Sequence, residues 1–418
     1  MIQFKKLQCG STLIMEQTDY VQSAAIGIWV KTGAINESAE ISGISHFIEH
    51  MMFKGTETRS AKDIANDFEK IGGSFNAATG KETTCFYVKT LTEYINQATE
   101  ILVDIVTHST FDQEELDKER QVILEEIKTV NDTPDDVIFD TISELVNSGS
   151  PLKNSILGTA DSLYGINRPE ILDYYTNRYS RDNMVISVTG NFDAEQIEEI
   201  LEEKLMCMNA HTVDTPLEMK TYEKGFDVDV RDIEQTNLCM AIPSISMLDD
   251  RYYAFMLMNN IFGASMSSRL FQKIREEKGL AYSVASMNMF YSFTGFFNIY
   301  AGVAHEKIEE AISSIKAELK KIAESGVTDE ELSMAKVQMK SIYIFGKENI
   351  NSRMMSLGKN KLLLDKIFTP EEVMAGFDRV TREDILEAAS IIGDCSRYCG
   401  AAVTGKEFDL KGLIEHEN

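Results

Sequence analysis

Apolar and polar positions follow two different patterns along this chain. Between residues 44 and 52 the apolar positions recur every three or four residues, which predicts a helix with one buried stripe. Two mostly apolar stretches without that spacing, at 24–30 and 236–242, instead predict extended strands. The helical stripe consists of Ile44, Phe47, Ile48, Met51 and Met52, and Lys54-Gly55-Thr56 predicts where that helix stops.

The pattern repeats along the chain with a shift of 216 residues. The segment 111–116 (FDQEEL) is echoed by 327–332 (VTDEEL), and in each an Asp or Thr cap precedes acidic residues, which is typical of a helix start. Two α+β domains built on one plan are therefore predicted, at 1–215 and 222–418. The polar stretch between them contains Pro216.

Composition excludes several classes of partner. The 418 residues carry a formal net charge of −26, which repels nucleic acids and anionic membranes. That charge suits basic peptides as ligands, and it equally suits a protein that needs only to stay dissolved. The chain has no apolar run of the roughly 20 residues that span a bilayer, and it starts without a signal-peptide pattern, so a cytoplasmic location is expected.

The predicted helix at 44–52 carries the chemistry. His46-Phe-Ile-Glu49-His50 reads H-x-x-E-H, and histidines four residues apart project from one side of a helix and can hold one zinc ion. Glu49 can then act as general base toward a water molecule. The alternative is an amphipathic helix whose polar edge carries two histidines by chance.

A third metal ligand is suggested by comparing the two copies of the repeat. Glu119 and Glu126 lie on the inward stripe of the helix that follows residue 112, where carboxylates are costly unless paired or bound to a metal. The equivalent residues after the 216-residue shift are Ala335 and Ile342. The first copy therefore holds a buried acidic pair, and the spacing leaves open which glutamate binds the metal.

Several motifs together resemble the pitrilysin family of zinc metallopeptidases, the inverzincins, and in particular bacterial relatives of the mitochondrial processing peptidase β subunit. The resemblance covers essentially the whole chain. The matching segments are 43–56 (GISHFIEHMMFKGT), 72–77 (GGSFNA), 119–127 (ERQVILEEI), 156–159 (ILGT), 268–271 (SRLF) and 275–282 (REEKGLAY).

This resemblance implies a role for each candidate residue at the metal. Glu126 becomes the third zinc ligand beside His46 and His50, and Glu119 becomes the supporting carboxylate. One Zn²⁺ per chain is implied, although Mn²⁺ and Co²⁺ suit the same ligands. The fold implied is two homologous domains, each a mostly antiparallel sheet packed with helices, the second lacking zinc ligands.

The resemblance also implies how a peptide would bind. An edge strand would pair with the substrate backbone, and an arginine and a tyrosine, Arg275 and Tyr282, would contact the substrate near its scissile carbonyl. The residues of that edge strand are Gly73, Ser74, Phe75, Asn76 and Ala77. Without the resemblance, Arg275 reads as a surface charge and Gly72-Gly73 as an ordinary turn.

The function implied is a zinc endopeptidase of the bacterial cytoplasm that cleaves oligopeptides or unfolded protein segments. A homodimer would enclose the substrate in a chamber, with zinc from one protomer and the Arg275–Tyr282 pair from the other. Two alternatives stay open at this point: a non-catalytic peptide-binding or scaffold subunit, and a zinc subunit that needs a separate partner subunit.

Overall fold

The computed structural model describes residues 2–213, 217 and 220–416. The chain divides into two compact units. The first unit contains residues 1–128, 154–218 and 345–367, and the second contains residues 129–153, 219–344 and 368–418. The domain limits 1–215 and 222–418 remain a prediction, and residue 215 and Pro216 lie outside the described residues.

The first unit is built on a six-stranded sheet in the order β1-β2-β6-β3-β5-β4. Neighbouring strands are antiparallel except β2 and β6, which are parallel. The strands are β1 (Ile2–Lys6), β2 (Thr12–Gln17), β3 (Ser23–Val30), β4 (Ser74–Thr79), β5 (Thr84–Leu91) and β6 (Met184–Gly190).

The second unit is built on a five-stranded sheet in the order β7-β11-β8-β10-β9. Here β7 and β11 are parallel and the other neighbours are antiparallel. The strands are β7 (Phe226–Val230), β8 (Gln235–Pro243), β9 (Ala281–Phe290), β10 (Gly295–Ala304) and β11 (Cys399–Thr404). The predicted strands at 24–30 and 236–242 are therefore β3 and β8.

Helices pack against both sheets. They are α1 (Ile44–Met52), α2 (Ala61–Lys70), α3 (Ile95–His108), α4 (Gln113–Asp132), α5 (Pro134–Val146), α6 (Ala160–Gly165), α7 (Arg168–Arg178), α8 (Ala194–Lys204), α9 (Tyr252–Asn259), α10 (Ile308–Ser325), α11 (Asp329–Glu348), α12 (Ile350–Leu364), α13 (Pro370–Arg379), α14 (Arg382–Ile392) and α15 (Leu410–Glu415). Two π-helical segments, Asn260–Ala264 and Phe271–Glu277, follow α9. Within the described residues, no helix combines the length and the apolar composition that crossing a bilayer requires.

The two sheets share one topology. Reading β2-β6-β3-β5-β4 against β7-β11-β8-β10-β9 pairs each strand with a counterpart in the same position, and the parallel pair comes first in both. Helices α4 and α11 each have 20 residues and start 216 positions apart. The predicted α+β fold with two similar, mostly antiparallel halves is confirmed.

Each sheet has helices on both faces, which explains its continuous apolar strands. In β3 every residue from Ala24 to Val30 is buried, as is typical of a strand covered on both sides. The main core of the first unit lies on one face of its sheet, and α12 packs on β3 and β6 from the other. In the second unit α5 packs on β8 and β11 in the same manner.

Candidate metal centre

Helix α1 carries the two histidines, and its apolar side is buried in the core. The predicted stripe, Ile44, Phe47, Ile48, Met51 and Met52, is fully buried in the core of the first unit. The helix ends at Met52, two residues before the predicted stop at Lys54. His46 is buried, whereas His50 is partly exposed. Because the opposite side of the helix is anchored, both imidazoles keep a defined direction.

Three candidate ligand atoms converge beside α1. His46 Nε2 lies 3.8 Å from Glu126 Oε2, and His50 Nε2 lies 3.7 Å from the same oxygen. One donor atom from each of the three residues lies within 4.8 Å of the other two. Tetrahedral zinc with ligand distances of 2.0–2.2 Å places its donors about 3.4 Å apart. The spacing of the three side chains is close to that geometry.

Glu119 contacts His50 at Nδ1, the ring nitrogen that does not face Glu126. Its Oε1 lies 2.9 Å from His50 Nδ1, and its Oε2 lies 2.6 Å from Lys54 Nζ. Burial acts to raise the pKa of Glu119, but the hydrogen bonds from His50 and Lys54 outweigh burial and leave that pKa below its usual value. A carboxylate at Nδ1 favours the tautomer with its proton on that nitrogen, and Nε2 is the ring nitrogen that faces Glu126.

His46 is held in its neutral form. Burial, together with the neighbouring His50, lowers the pKa of His46 to about 4. Its Nδ1 is buried without a hydrogen-bond partner among the described residues. Two imidazole nitrogens and a carboxylate oxygen therefore face one another with no hydrogen bond between them. Such a set of acceptors fits a cation, and imidazole with carboxylate is a common ligand set for zinc.

Glu49, the glutamate of the H-x-x-E-H motif, has Thr79 as its hydrogen-bond partner. The Glu49 carboxylate accepts hydrogen bonds from the hydroxyl and the backbone N–H of Thr79, the last residue of β4. Burial raises the pKa of Glu49 even though Thr79 acts in the opposite direction. A carboxylate with a raised pKa beside a metal centre is suited to proton transfer.

The predicted substrate strand lies at a sheet edge. Ser74, Phe75, Asn76 and Ala77 belong to β4, and Gly73 precedes it. Among the described residues, β4 is the edge strand of its sheet and pairs with β5 alone. The rings of Phe75 and Phe68 stack with centroids 4.2 Å apart, which fixes the inner face of β4. The free edge is available for backbone pairing with an extended peptide.

Arg275 and Tyr282 lie in the second unit and contact each other. Arg275 belongs to the π-helical segment Phe271–Glu277, and Tyr282 is in β9. The guanidinium carbon of Arg275 is 4.8 Å from the ring centre of Phe271 and 5.5 Å from that of Tyr282. Tyr282 is 76% exposed, so its hydroxyl is free to contact a ligand.

Two residues of this arrangement were not predicted from the sequence. Lys54 was taken only as part of a helix stop, yet it is the ion-pair partner of Glu119. Its position four residues after His50 was an available signal, although Lys54 itself lies beyond the end of α1. Thr79 carried no signal, because its contact with Glu49 depends on how β4 packs beside α1.

Comparison with known protein families covers most of the chain. Residues 12–160 match the family described as insulinase (peptidase family M16). Residues 165–339 match the family described as the peptidase M16 inactive domain. The division agrees with the placement of all three candidate metal ligands in the first of the two matched regions.

Similar proteins occur in several bacteria. An uncharacterized zinc protease of Bacillus subtilis, YmxG, is 39% identical over 92% of this chain and 94% of its own length. An uncharacterized zinc protease of Rickettsia felis is 38% identical over 98% of both chains.

Solved structures show the same fold. A peptidase M16 inactive domain from Pseudomonas fluorescens superposes with a TM-score of 0.90 at 18% identity, covering 97% of this chain and 98% of the other. A protease from Helicobacter pylori gives a TM-score of 0.87 at 18% identity, covering 97% of this chain and 99% of the other.

Proposed function

The chain belongs to peptidase family M16, and on that premise we propose that it is a zinc-dependent endopeptidase that cleaves oligopeptides or unfolded protein segments. The observation that carries the proposal is the convergence of His46, His50 and Glu126, each with one possible ligand atom within 4.8 Å of the other two. The names of the similar zinc proteases from Bacillus and Rickettsia support the same metal and reaction.

His46, His50 and Glu126 would hold the metal, one ion per chain. When bound, zinc supplies Lewis-acid polarisation for peptide hydrolysis. Glu119 positions His50 and keeps the proton of that imidazole on Nδ1. The ligand set would also accept Mn²⁺ or Co²⁺.

Glu49 would act as the general base. Its carboxylate is fixed by the two donors of Thr79, and its raised pKa brings it closer to neutral pH. In the proposed reaction Glu49 accepts a proton from the attacking water and passes it to the amine of the leaving peptide. The water oxygen forms a bond to the carbonyl carbon, the bond from that carbon to the amide nitrogen breaks, and the products are a carboxylate and an amine.

The remaining proposed residues bind the peptide. The free edge of β4, from Gly73 to Ala77, would pair with the backbone of an extended substrate, which demands little of the side chains. Tyr282 would donate a hydrogen bond to the developing oxyanion, and Arg275 would contact the substrate backbone. A cytoplasmic location, a homodimer and an enclosed chamber all stay predictions.

Replacing Glu49 by Gln tests the mechanism. The amide cannot accept the proton, so peptide cleavage should fall by about 10²-fold to 10⁴-fold while the zinc content stays at one per chain. Cleavage of a mixed peptide library is followed by mass spectrometry with and without chelator, and zinc is measured by elemental analysis. Glu57→Gln, an exposed glutamate shortly after the same helix, is the matched control.

Each outcome separates the alternatives. A zinc-loaded Glu49→Gln protein that cleaves as fast as the parent would show that Glu49 is not the base. A parent that binds zinc yet cleaves nothing in the library would favour a non-catalytic subunit or one that needs a separate partner. A parent that binds no zinc would contradict the proposed centre itself.

A further inference from the structure

A buried glutamate closes the amino-terminal end of the metal-binding helix. One carboxylate oxygen of Glu37 accepts the backbone N–H of Gly43 at 2.6 Å, and the other accepts the backbone N–H of Ser45 at 2.9 Å. Glu37 is only 6% exposed. It stands nine positions before His46 and is not part of the H-x-x-E-H motif.

The backbone at Ser42 and Gly43, where α1 begins beside this carboxylate, is tightly packed. Gly43 has a φ of 90°, and a Cβ there would lie 2.5 Å from the carbonyl oxygen of Leu157. Only glycine therefore fits at this helix start. The hydroxyl of Ser162 donates to the carbonyl of Ser42 at 2.7 Å and holds the same loop from the other side.

Further hydrogen bonds fix the carboxylate in turn. The Ser45 hydroxyl also donates to Glu37, and it lies 3.0 Å from the hydroxyl of Tyr174. The Tyr174 hydroxyl is 2.9 Å from that of Thr32. The side-chain amide of Asn154 donates to the Glu37 carbonyl at 3.1 Å. Burial raises the pKa of Glu37 to about 7 despite the hydrogen bonds that its carboxylate accepts from Gly43 and Ser45.

This arrangement does more than complete the hydrogen bonds of a helix end. Helix α1 has only nine residues, and His46 directly follows Ser45, whose backbone N–H is bound to Glu37. A short helix has few hydrogen bonds of its own to resist a shift along its axis. Metal ligands tolerate errors of only about 0.2 Å in distance, so a small movement of the first turn would separate His46 from Glu126.

We propose that Glu37 is a positioning residue of the metal centre, whose carboxylate fixes the first turn of α1 and thereby places His46 and His50 opposite Glu126. The inference rests on the proposed zinc site. It differs from a purely structural role in one respect: loss of the carboxylate weakens metal binding even where the metal-free protein stays folded.

The test compares zinc affinity in three purified proteins. In Glu37→Gln an amide NH₂ replaces one oxygen, so one of the two backbone N–H groups faces a donor and the first turn must shift. Glu40→Gln, in the same loop but exposed, is the matched control. We measure the zinc dissociation constant by competition with a chelator, the visible spectrum of the Co²⁺ form, and thermal unfolding of the metal-free protein.

We expect the zinc affinity of Glu37→Gln to fall by about tenfold or more, as for other groups that orient metal ligands, with an altered Co²⁺ spectrum. Glu40→Gln should match the parent. A Glu37→Gln protein with a lowered unfolding temperature but the zinc affinity and Co²⁺ spectrum of the parent would overturn the proposal.

A second variant covers the case in which Glu37→Gln does not fold. Tyr174→Phe keeps the carboxylate but removes the hydroxyl that holds Ser45, and weakened zinc binding in this variant supports the proposal while unchanged affinity overturns it. If the parent itself binds no zinc, the proposed function fails before any variant is compared, so the two failures remain distinguishable.

Discussion

At the scale of single residues, a partly buried ion pair shows how this protein holds its charges in well-aligned contacts. Arg269 and Glu331 form two parallel hydrogen bonds of 2.7 and 2.8 Å in the second unit. Glu331 also accepts the backbone N–H of Thr328 at 2.8 Å. Burial acts to raise the pKa of Glu331, but Arg269 and Thr328 outweigh it and lower that pKa to about 2.

Replacing Glu331 by Gln should therefore destabilise the protein by about 2 kcal/mol at pH 7, because Arg269 is left without its charged partner. The pKa of Glu331 is lowered on folding, so its contribution is present above about pH 4.5 and is lost as the pH falls toward 2. Urea denaturation followed by circular dichroism should show the difference from the parent shrinking by at least half at pH 3.

The neighbouring Glu330→Gln is the control, since Glu330 is exposed and its replacement should change the unfolding free energy by less than about 0.5 kcal/mol. A difference between parent and Glu331→Gln that stays constant from pH 7 to pH 3 would contradict the assignment of a lowered pKa.

Sequence reasoning proposed His46, His50 and Glu126 as metal ligands with Glu119 as their supporting carboxylate, and it did not single out Lys54, Thr79 or Glu37. Helical spacing and the contrast with Ala335 and Ile342 predicted a buried acidic pair. Glu119 is buried as predicted, but the prediction is wrong for Glu126, whose side chain is 42% exposed, and Ile342 is 59% exposed. Spacing alone left their separate roles open, and only the family resemblance assigned them. In the structure Glu119 contacts Nδ1 of His50, whereas Glu126 faces Nε2 of both His46 and His50. Glu37 gave no signal, since its partners are backbone groups of a loop brought close by folding.

At the scale of elements, strand β4 links the proposed peptide edge to the proposed base. Its last residue, Thr79, directs both its hydroxyl and its backbone N–H to Glu49. The partner strand holds this end in place, with Thr79 opposite Thr84 in the antiparallel register. A residue of β4 thus fixes the orientation of the carboxylate that would receive the proton.

Thr79→Val should lower kcat by about tenfold with little change in KM, because the isosteric side chain keeps the strand but no longer orients Glu49. Thr79→Ser retains the hydroxyl and should keep most of the activity. Steady-state cleavage of a quenched fluorescent peptide measures both constants. Equal activity of the Val and Ser variants would show that the hydroxyl has no role in positioning Glu49.

Elements were easier to predict than contacts between them. Helix α1 and strands β3 and β8 were predicted from the pattern of apolar residues, because that local pattern shows which residues each element buries. The paired helix starts at Asp112 and Thr328 followed from their capping residues, whose side chains accept backbone N–H groups as expected. The sheet partners of α5 and α12 were not predicted, because no local pattern states which sheet a helix covers.

At the scale of the whole molecule, the two copies have diverged in chemistry while keeping their topology. The family resemblance drawn from the motifs is confirmed. The second copy carries Ala335 and Ile342 where the first has acidic residues, and it presents Arg275 and Tyr282 instead. Retention of that pair in the copy without metal ligands motivates the prediction of a site shared between two protomers.

Mixing two inactive variants tests that prediction. A Glu49→Gln protein combined with a Tyr282→Phe protein should regain activity if zinc and tyrosine come from different protomers. Random exchange would make half of the dimers mixed, each with one intact site out of two, so about a quarter of the parental activity is expected. Native mass spectrometry verifies the mixed dimers.

Verified mixed dimers without recovered cleavage would contradict the shared site, and a protein that stays monomeric at working concentrations would contradict the homodimer. Each variant alone serves as the baseline for residual activity.

Segments of the two units alternate along the chain, and this order has a consequence for biosynthesis. The first unit includes residues 345–367, and α12 covers the face of its sheet formed by Ile14, Trp29, Cys85 and Val185. A ribosome adds about 5–20 residues per second, so this face stays uncovered for roughly 7–30 s after the rest of the unit has been synthesised. During that interval the nascent chain exposes an apolar surface, and the protein is therefore expected to depend on chaperone binding while it is being made.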